Sequence, residues 1–228
     1  MPVISFVSPK GGAGKTTAAL LLSTELAQKG GSVTVIDGDP RRWMTRWSQG
    51  GKMPASMRVV SKKPEEDIID VIDAAKKVSN IVIMDLEGTD SMTVAYSISR
   101  SDFVIVPAQA GPMEGEAAVD AIKLVKQQER AFGVRIPYAV LMTRMKAAIR
   151  TKVEGRLIEQ MRSASVPVFS TQLLERTAFR EIIENQCCLG DLPSSTYKLD
   201  DAIANARSFA GEVISLFKRK QKSHEEAA

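Results

Sequence analysis

The segment 9–17, Pro-Lys-Gly-Gly-Ala-Gly-Lys-Thr-Thr, constrains the fold of this 228-residue chain more than any other part of the sequence. It follows a short apolar run at 3–7 and precedes a stretch with helical periodicity, where a phosphate-binding loop lies in a strand–loop–helix unit. Backbone N–H groups of such a loop surround phosphate oxygens, Lys15 reaches the β- and γ-phosphates, and Thr16 offers a hydroxyl to Mg²⁺. The other residues predicted to line the phosphates are Gly11, Gly12, Ala13, Gly14 and Thr17. The loop therefore predicts a nucleotide-binding protein.

This phosphate-binding loop departs from the usual pattern G-x-x-x-x-G-K-[ST], because Pro9 replaces the first glycine and Lys10 adds a second lysine. In this it resembles the deviant Walker motif of the ParA/MinD superfamily of ATPases. The sequence is most similar to ParF-like plasmid partition ATPases and to the ATPase that assists T-DNA transfer in Agrobacterium-type systems, over roughly residues 1–190. The resemblance implies that Lys10 reaches the ATP of a partner subunit, so ATP binding is expected to produce a homodimer.

Two further apolar runs end in acidic residues. The run 33–36 continues into Asp37-Gly-Asp39-Pro, and the run 81–84 ends at Asp85. The resemblance implies that Asp39 polarises the attacking water, that Asp37 belongs to the Mg²⁺ shell, and that Asp85 holds Mg²⁺ through water. After Asp85 the chain departs from the family's switch sequence. Gly88 keeps a hinge there, and Glu87 is either a second base or a solvated charge.

Short apolar runs alternate with longer amphipathic segments along the chain. Strands are predicted at 3–7, 33–36, 81–85, 103–106 and 138–142, with a shorter one near 166–170. Helices are predicted at about 16–29, 64–78, 113–132, 151–163 and 200–219, the second beginning at Pro64 with acidic residues in its first turn. This alternation predicts an α/β fold, a mostly parallel twisted sheet with helices on both faces. Ligands of such sheets bind at the carboxyl ends of strands, where Lys15, Asp37, Asp39 and Asp85 fall.

The base of the nucleotide is less constrained by the sequence than the phosphates. The guanine signature N-K-x-D does not follow the strand at 138–142, where Met-Thr-Arg-Met stands instead, and this favours ATP over GTP. By resemblance, Thr143, Arg144 and Glu175 are candidates to flank the adenine. The segment around Glu175 is equally well explained as a helix entrance capped by Thr177.

Composition agrees with a single cytoplasmic bacterial ATPase domain over residues 1–228. The chain is 44% hydrophobic, enough for one sizeable core, and shows neither a signal-peptide pattern nor a long apolar span. Cys187 and Cys188 are adjacent and so lack the spacing of a metal or redox pair. They are expected to be buried as small hydrophobic residues.

The net charge of +4 is modest, but cations cluster near the C-terminus in a basic tail at about 218–228. The predicted DNA-binding residues are Arg207, Lys218, Arg219, Lys220 and Lys222, with a frayed, solvated tail as the alternative. The preceding helix carries an apolar stripe from Ile203 to Phe217, which is expected to pack on the domain. The alternative for this stripe is a membrane contact of the MinD type.

These features support a DNA-positioning ATPase for plasmid or chromosome partition or for conjugative DNA transfer. ATP would close a dimer, the dimer would bind DNA without sequence preference, and an adaptor or relaxase-type protein would stimulate hydrolysis. A MinD-like positioning ATPase on membranes is the main alternative. A reductase of the nitrogenase iron protein type is disfavoured because it needs two separated cysteines, and a biotin-pathway ligase is disfavoured by Lys10.

Overall fold

The computed structural model describes residues 1–63, 65–86, 88, 92–146 and 152–225. Within them, six strands form one sheet: β1 (Val3–Phe6), β2 (Val33–Gly38), β3 (Met57–Ser61), β4 (Ile81–Leu86), β5 (Phe103–Ala108) and β6 (Tyr138–Met142). The order across the sheet is β3-β2-β4-β1-β5-β6, and every neighbouring pair is parallel. The predicted mostly parallel sheet is thus confirmed.

Two strand predictions are wrong, each at an edge of this sheet. The sequence prediction missed β3, which is an edge strand. Its residues alternate between more and less buried positions, with Met57 buried and Arg58 exposed, so it has no continuous apolar run. The predicted strand near 166–170 forms only a single parallel bridge, from Val168 to Val140. In both places the apolar pattern is too weak or too short to separate a strand from a loop.

Eight helices lie in the described residues: α1 (Lys15–Gln28), α2 (Trp43–Ser48), α3 (Ile68–Val78), α4 (Met92–Ser99), α5 (Pro112–Phe132), α6 (Lys152–Ser163), α7 (Thr177–Glu184) and α8 (Leu199–Glu225). Helices α2, α4 and α7 have only six to eight residues, too few for a clear periodicity. The predicted start of α3 is also wrong. Asp67 caps the helix by accepting a hydrogen bond from the Ile69 N–H, so Glu65, Glu66 and Asp67 precede the first turn, which contains Asp70 instead. Pro64 and Thr151 lie outside the described residues.

The sheet separates two hydrophobic clusters, one on each face. One cluster joins the sheet to α1, α2, α7 and α8 and contains Leu21, Trp47 and Phe209. The other joins the opposite face to α3, α4, α5 and α6 and contains Ile72 and Val125. Because both faces are covered, the strands other than β3 are buried along nearly their whole length and are mostly apolar.

Helix α8 is longer than predicted and packs along the first cluster. Ala206, Ala210 and Val213 are buried there, and the Phe217 ring meets Phe103 edge-on with centroids 6.0 Å apart. The expectation that the stripe packs on the domain is confirmed. The helix continues to Glu225, so residues 218–225 are helical and the frayed alternative is wrong for them. None of the helices in the described part of the chain is long and apolar enough to cross a membrane.

Candidate functional site

The phosphate-binding loop lies between β1 and α1, with Lys15 as the first residue of the helix. The Lys15 side chain is buried, and its ammonium donates to the carbonyl oxygens of Ser8 and Lys10 at 3.2 and 3.3 Å. Gly14 precedes the helix at φ 91°, where a side chain would be strained and its Cβ would lie 3.4 Å from Thr143. The loop is therefore folded around its lysine, as the motif predicts.

Two side chains from the far half of the sheet hold this loop in place. The Thr143 hydroxyl, just after β6, donates to the Ala13 carbonyl at 2.7 Å, and the Gln109 amide, just after β5, donates to the Gly12 carbonyl at 2.7 Å. Thr143 is predicted to flank the adenine, but its hydroxyl is already used to support the loop. Gln109 is missing from the prediction, since nothing local in the sequence pairs it with residue 12.

The carboxylates of Asp37 and Asp85 end neighbouring strands in register, and both residues are buried. The Asp37 carboxylate accepts from the Thr45 N–H at 2.8 Å and from the Thr45 hydroxyl at 2.7 Å. The Asp39 N–H adds a longer bond of 3.3 Å. Helix α2 thus positions Asp37 through Thr45, a contact that the sequence prediction missed.

Asp85 has no comparable support. Among the described residues, none donates a hydrogen bond of ordinary geometry to either carboxylate oxygen, although the Thr16 hydroxyl is near enough to favour the charged form. Burial raises the pKa of Asp85 from 3.8 to about 7, and the charges of Asp37 and Asp39 add to the rise while Lys15 opposes it. Buried carboxylates with a nearby hydroxyl match the hard oxygen ligands that Mg²⁺ prefers, so the donor set fits that ion.

Asp39 lies at the rim of the site rather than in the buried layer. Its carboxylate accepts from the Arg41 N–H at 2.7 Å, and its carbonyl accepts from the Arg42 N–H at 2.8 Å. It lines the same 950 Å³ cavity as Lys15 and Thr16. The predicted water-polarising residue therefore faces the space beside the phosphate-binding loop.

Lys10 is not extended away from its own subunit. Its ammonium forms an ion pair with the Glu114 carboxylate in the first turn of α5. The hydrogen bond from Lys10 lowers the pKa of Glu114. Lys10 must leave this carboxylate before it can reach another subunit, and Glu114 carries no sequence signal because it lies 104 positions away.

The predicted base contacts lie together beside the loop. Arg144 and Glu175 line a cavity of about 230 Å³ with Gly14, Thr17 and Thr143. The alternative role for Thr177 is wrong in detail, because Thr177 is the first residue of α7 and Arg176 occupies the cap position without a side-chain cap. These contacts with adenine remain a prediction.

The predicted DNA-binding residues are spread along α8. Arg207 lies 3.9 Å from Glu25 of α1, an exposed cation beside a buried carboxylate whose pKa is raised by desolvation. Lys218 and Arg219 are exposed. Lys220 and Lys222 lie within α8, with side chains outside the described part, and Glu87 lies outside the described residues altogether.

Cys187 and Cys188 are buried and unbonded to each other, as expected for small hydrophobic residues. Burial raises the pKa of Cys188 to about 12. The Cys187 carbonyl accepts a 3.1 Å hydrogen bond from the Trp47 indole. The pair belongs to the packing between α2 and α7.

Comparison with known proteins identifies the family. Residues 1–190 match the family model described as VirC1 protein. The chain is 34% identical over 223 residues to Protein ParA of Rhizobium radiobacter, covering 96% of this chain and 97% of that protein. It is 28% identical over 189 residues to Protein virC1 of the same organism, covering 81% of each.

Solved structures show the same fold at lower identity. The structure of apo McdA from Cyanothece superposes with a TM-score of 0.74 at 16% identity, covering 92% of this chain and 99% of that one. A putative plasmid partition protein from Borrelia burgdorferi, bound to AMPPNP, superposes with a TM-score of 0.70 at 19% identity, covering 94% and 98%. The sequence matches show that the chain belongs to the VirC1 family and is related to ParA, and the structures show that it shares the fold of ParA and MinD proteins.

Proposed function

We propose that this chain is an ATP-dependent dimerising ATPase that positions DNA during partition or conjugative transfer. One observation carries the proposal: the deviant phosphate-binding loop, folded around Lys15, stands beside a buried Asp85 whose oxygens accept no hydrogen bond of ordinary geometry from the described residues. A phosphate cradle next to such a carboxylate is suited to a nucleotide with a divalent cation. DNA is chosen as cargo because the sequence resembles plasmid partition and T-DNA-transfer ATPases, a resemblance with which the relatives named ParA and virC1 agree.

The chemistry follows from the positions of the side chains. Lys15 and the loop N–H groups would bind the β- and γ-phosphates of ATP. Thr16, Asp37 and Asp85 would hold Mg²⁺, which supplies charge neutralisation on the phosphates. Asp39, at the rim, would orient the attacking water. Among the described residues, no group of three carboxylate, imidazole or thiol side chains forms a metal cage, so the other ligands would be phosphate and water.

Dimerisation would depend on Lys10. The ion pair with Glu114 holds the Lys10 ammonium within its own subunit. Both partners are partly exposed, at 37% and 23%, so the pair is easily exchanged for stronger anions. The phosphates of a partner's ATP offer such anions, and the exchange would form the homodimer.

Membrane positioning of the MinD type is the less favoured alternative. It needs an apolar helix face that is available to lipid, but the stripe of α8 is packed against the core. An adaptor or relaxase-type protein that stimulates hydrolysis, and nonspecific DNA as the cargo, remain part of the proposal.

Three variants of the full-length protein test this function. Lys15→Ala is expected to abolish ATP binding in a nucleotide titration. Lys10→Ala is expected to bind ATP but to stay monomeric in light scattering with ATP and Mg²⁺. Asp39→Ala is expected to hydrolyse slowly, to accumulate as a dimer, and to retain duplex DNA longer than wild type, with binding that falls as salt rises.

Each result can contradict one part of the proposal. Wild-type ATP affinity in Lys15→Ala would refute the nucleotide site, and an ATP-dependent dimer of Lys10→Ala would refute the role of Lys10 across subunits. An Asp39→Ala dimer that ignores DNA at low salt but binds anionic liposomes would favour the membrane alternative.

A further inference from the structure

The segment 40–63, which comprises α2, β3 and their flanking loops, has an unusual charge. It contains seven cations, Arg41, Arg42, Arg46, Lys52, Arg58, Lys62 and Lys63, and no carboxylate. The whole chain carries 31 cations and 27 carboxylates, so the remaining residues have 24 cations against 27 carboxylates. The positive net charge of the protein is therefore located in this one segment rather than in α8.

The fold brings the two ends of this segment together. β2 and β3 are paired in register, with Asp37 opposite Ser61, and the Lys62 N–H donates to the Asp37 carbonyl at 3.2 Å. The loop after β3 therefore emerges beside the loop that follows β2 and leads into α2. Arg41, Arg42 and Arg46 are exposed and form no ion pair with the carboxylates of the described residues. Arg41, Arg42 and Lys62 line the rim of the cavity beside the phosphate-binding loop. Because α2 also contacts β3, the cations of this segment lie on neighbouring elements at one edge of the sheet.

An exposed aromatic ring lies within this segment. The Trp43 side chain is 41% exposed, and the Arg46 guanidinium lies over its ring, 5.3 Å from the centroid. Trp47, one turn later, is 2% exposed and fills the core, so the exposure of Trp43 is not a general property of α2. A large aromatic side chain left in solvent among arginines can stack on a base while the arginines neutralise phosphates.

The backbone of Arg42 is left-handed within this segment, as are those of Arg144, Ser165, Gln186 and Lys198 elsewhere in the described residues. Arg42 has φ 52° at the position before α2, in the left-handed region that costs a non-glycine residue about 1 kcal/mol. Glycine would relieve this strain, yet the position carries another cation.

We propose that this surface, which we call the α2 surface (Trp43, Arg46 and the cations of 41–63), binds a single-stranded nucleic acid by stacking and phosphate neutralisation. The inference rests on the proposed DNA function and specifies where and how the strand binds. Unpaired bases can stack on Trp43, whereas bases inside a duplex cannot reach it. The α2 surface therefore prefers a single strand to a duplex, and the preference resides in Trp43.

Fluorescence anisotropy with a labelled 30-nucleotide strand and the matching duplex tests this directly, using the full chain with ATP and Mg²⁺ across a salt series. Wild type is expected to bind the strand more tightly than the duplex. Trp43→Ala is expected to lose roughly 5- to 100-fold in affinity for the strand and little for the duplex, with Trp43→Phe in between. Arg46→Ala/Arg58→Ala is expected to weaken both and to lower the salt slope by about 1 to 2.

The matched control is Lys218→Ala/Arg219→Ala, which removes the same charge from α8 and is expected to have a much smaller effect. A second readout is intrinsic fluorescence: the strand should quench Trp43 and protect it from acrylamide, while the buried Trp47 contributes a constant signal. A thermal melt and a far-UV circular dichroism spectrum like those of wild type show that Trp43→Ala is folded; basal ATPase activity is not the control, because Trp43 lines the cavity beside the phosphate-binding loop.

The outcomes separate the two proposals. If Trp43→Ala and Arg46→Ala/Arg58→Ala bind both DNAs as wild type does, while the α8 variant loses them, the α2 surface is refuted and the DNA function stands. If wild type binds neither DNA in any nucleotide state, the DNA function itself is refuted. Equal affinity of wild type for strand and duplex, unaffected by Trp43→Ala, would refute the stacking role.

Discussion

The carboxyl ends of β2 and β4 differ sharply although they are equally buried neighbours. Asp37 at the end of β2 is held by two hydrogen bonds from Thr45, whereas Asp85 at the end of β4 accepts none of ordinary geometry from the described residues. The pKa of Asp85 is raised to about 7 by burial. The Asp37 carboxylate is thus held in place by protein donors, whereas the Asp85 oxygens are left for a ligand.

The largest expected effect is on hydrolysis in Asp85→Asn. The variant keeps the size of the side chain but removes the charge that would hold Mg²⁺. Because a metal ion contributes several kcal/mol of charge stabilisation, we expect the ATPase rate to fall by about 100-fold or more. A steady-state phosphate-release assay across Mg²⁺ concentrations measures it. A rate within about 3-fold of wild type would show that the end of β4 is not the metal side of the site.

At the end of β2, the loss of the Asp37 carboxylate should also lower the stability of the fold in the absence of Mg²⁺. Asp37→Ala leaves both Thr45 donors without their acceptor, so the free energy of unfolding should fall by about 2–4 kcal/mol. Denaturant melts in EDTA measure this without any contribution from Mg²⁺. Asp37→Asn, which keeps an acceptor oxygen, should lose less. A denaturant melt of Asp37→Ala identical to that of wild type would show that the hydrogen bonds from Thr45 to Asp37 do not stabilise the fold.

The raised pKa of Asp85 should be detectable in the pH dependence of the free energy of unfolding. Its folded-state pKa of about 7 exceeds the ordinary value of 3.8, so the folded protein binds this proton more tightly than the unfolded chain does. Stability relative to Asp85→Asn should therefore fall as the pH rises from about 4 to 7 and stay level above that. At pH 8 in EDTA, Asp85→Asn should be the more stable protein by about 1–3 kcal/mol. A difference between the two proteins that does not change with pH would contradict the raised pKa.

The smallest expected effect concerns the Thr45 hydroxyl, which donates a hydrogen bond to Asp37 at the end of β2. Thr45→Val removes the hydroxyl donor and keeps the N–H donor, so the protein should lose about 1 kcal/mol of stability. Looser positioning of Asp37 should also raise the Mg²⁺ concentration for half-maximal ATPase activity by up to about 10-fold. Thr45→Ser, which keeps the hydroxyl, should behave like wild type. An unchanged Mg²⁺ dependence in Thr45→Val would limit Thr45 to a structural role.

The sequence predicts the parts of this molecule that depend on local patterns. Apolar runs identify five of the strands, and the glycine-rich loop identifies the place of Lys15, because neighbours along the chain determine both. Thr45 and Glu114 could not be predicted in the same way. Each acts through a tertiary contact, and a threonine in a short helix or a glutamate in a helix's first turn has many ordinary explanations. The raised pKa of Asp85 likewise depends on burial by residues distant in sequence.

The two edge strands of the sheet, β3 and β6, differ in how readily another copy of the protein could pair with them. The segment that bridges at Val168 partly covers β6, whereas no strand of the described residues pairs with the outer side of β3. An uncovered edge strand exposes backbone N–H and C=O groups with which a strand of another copy can pair. Charged side chains along the edge oppose such pairing. If a second copy paired its β3 with this β3, Arg58 and the neighbouring lysines would lie close to the same residues of that copy. Like-charge repulsion therefore disfavours extension of the sheet at this edge, so the proposed nucleotide-dependent dimer would form through a different face.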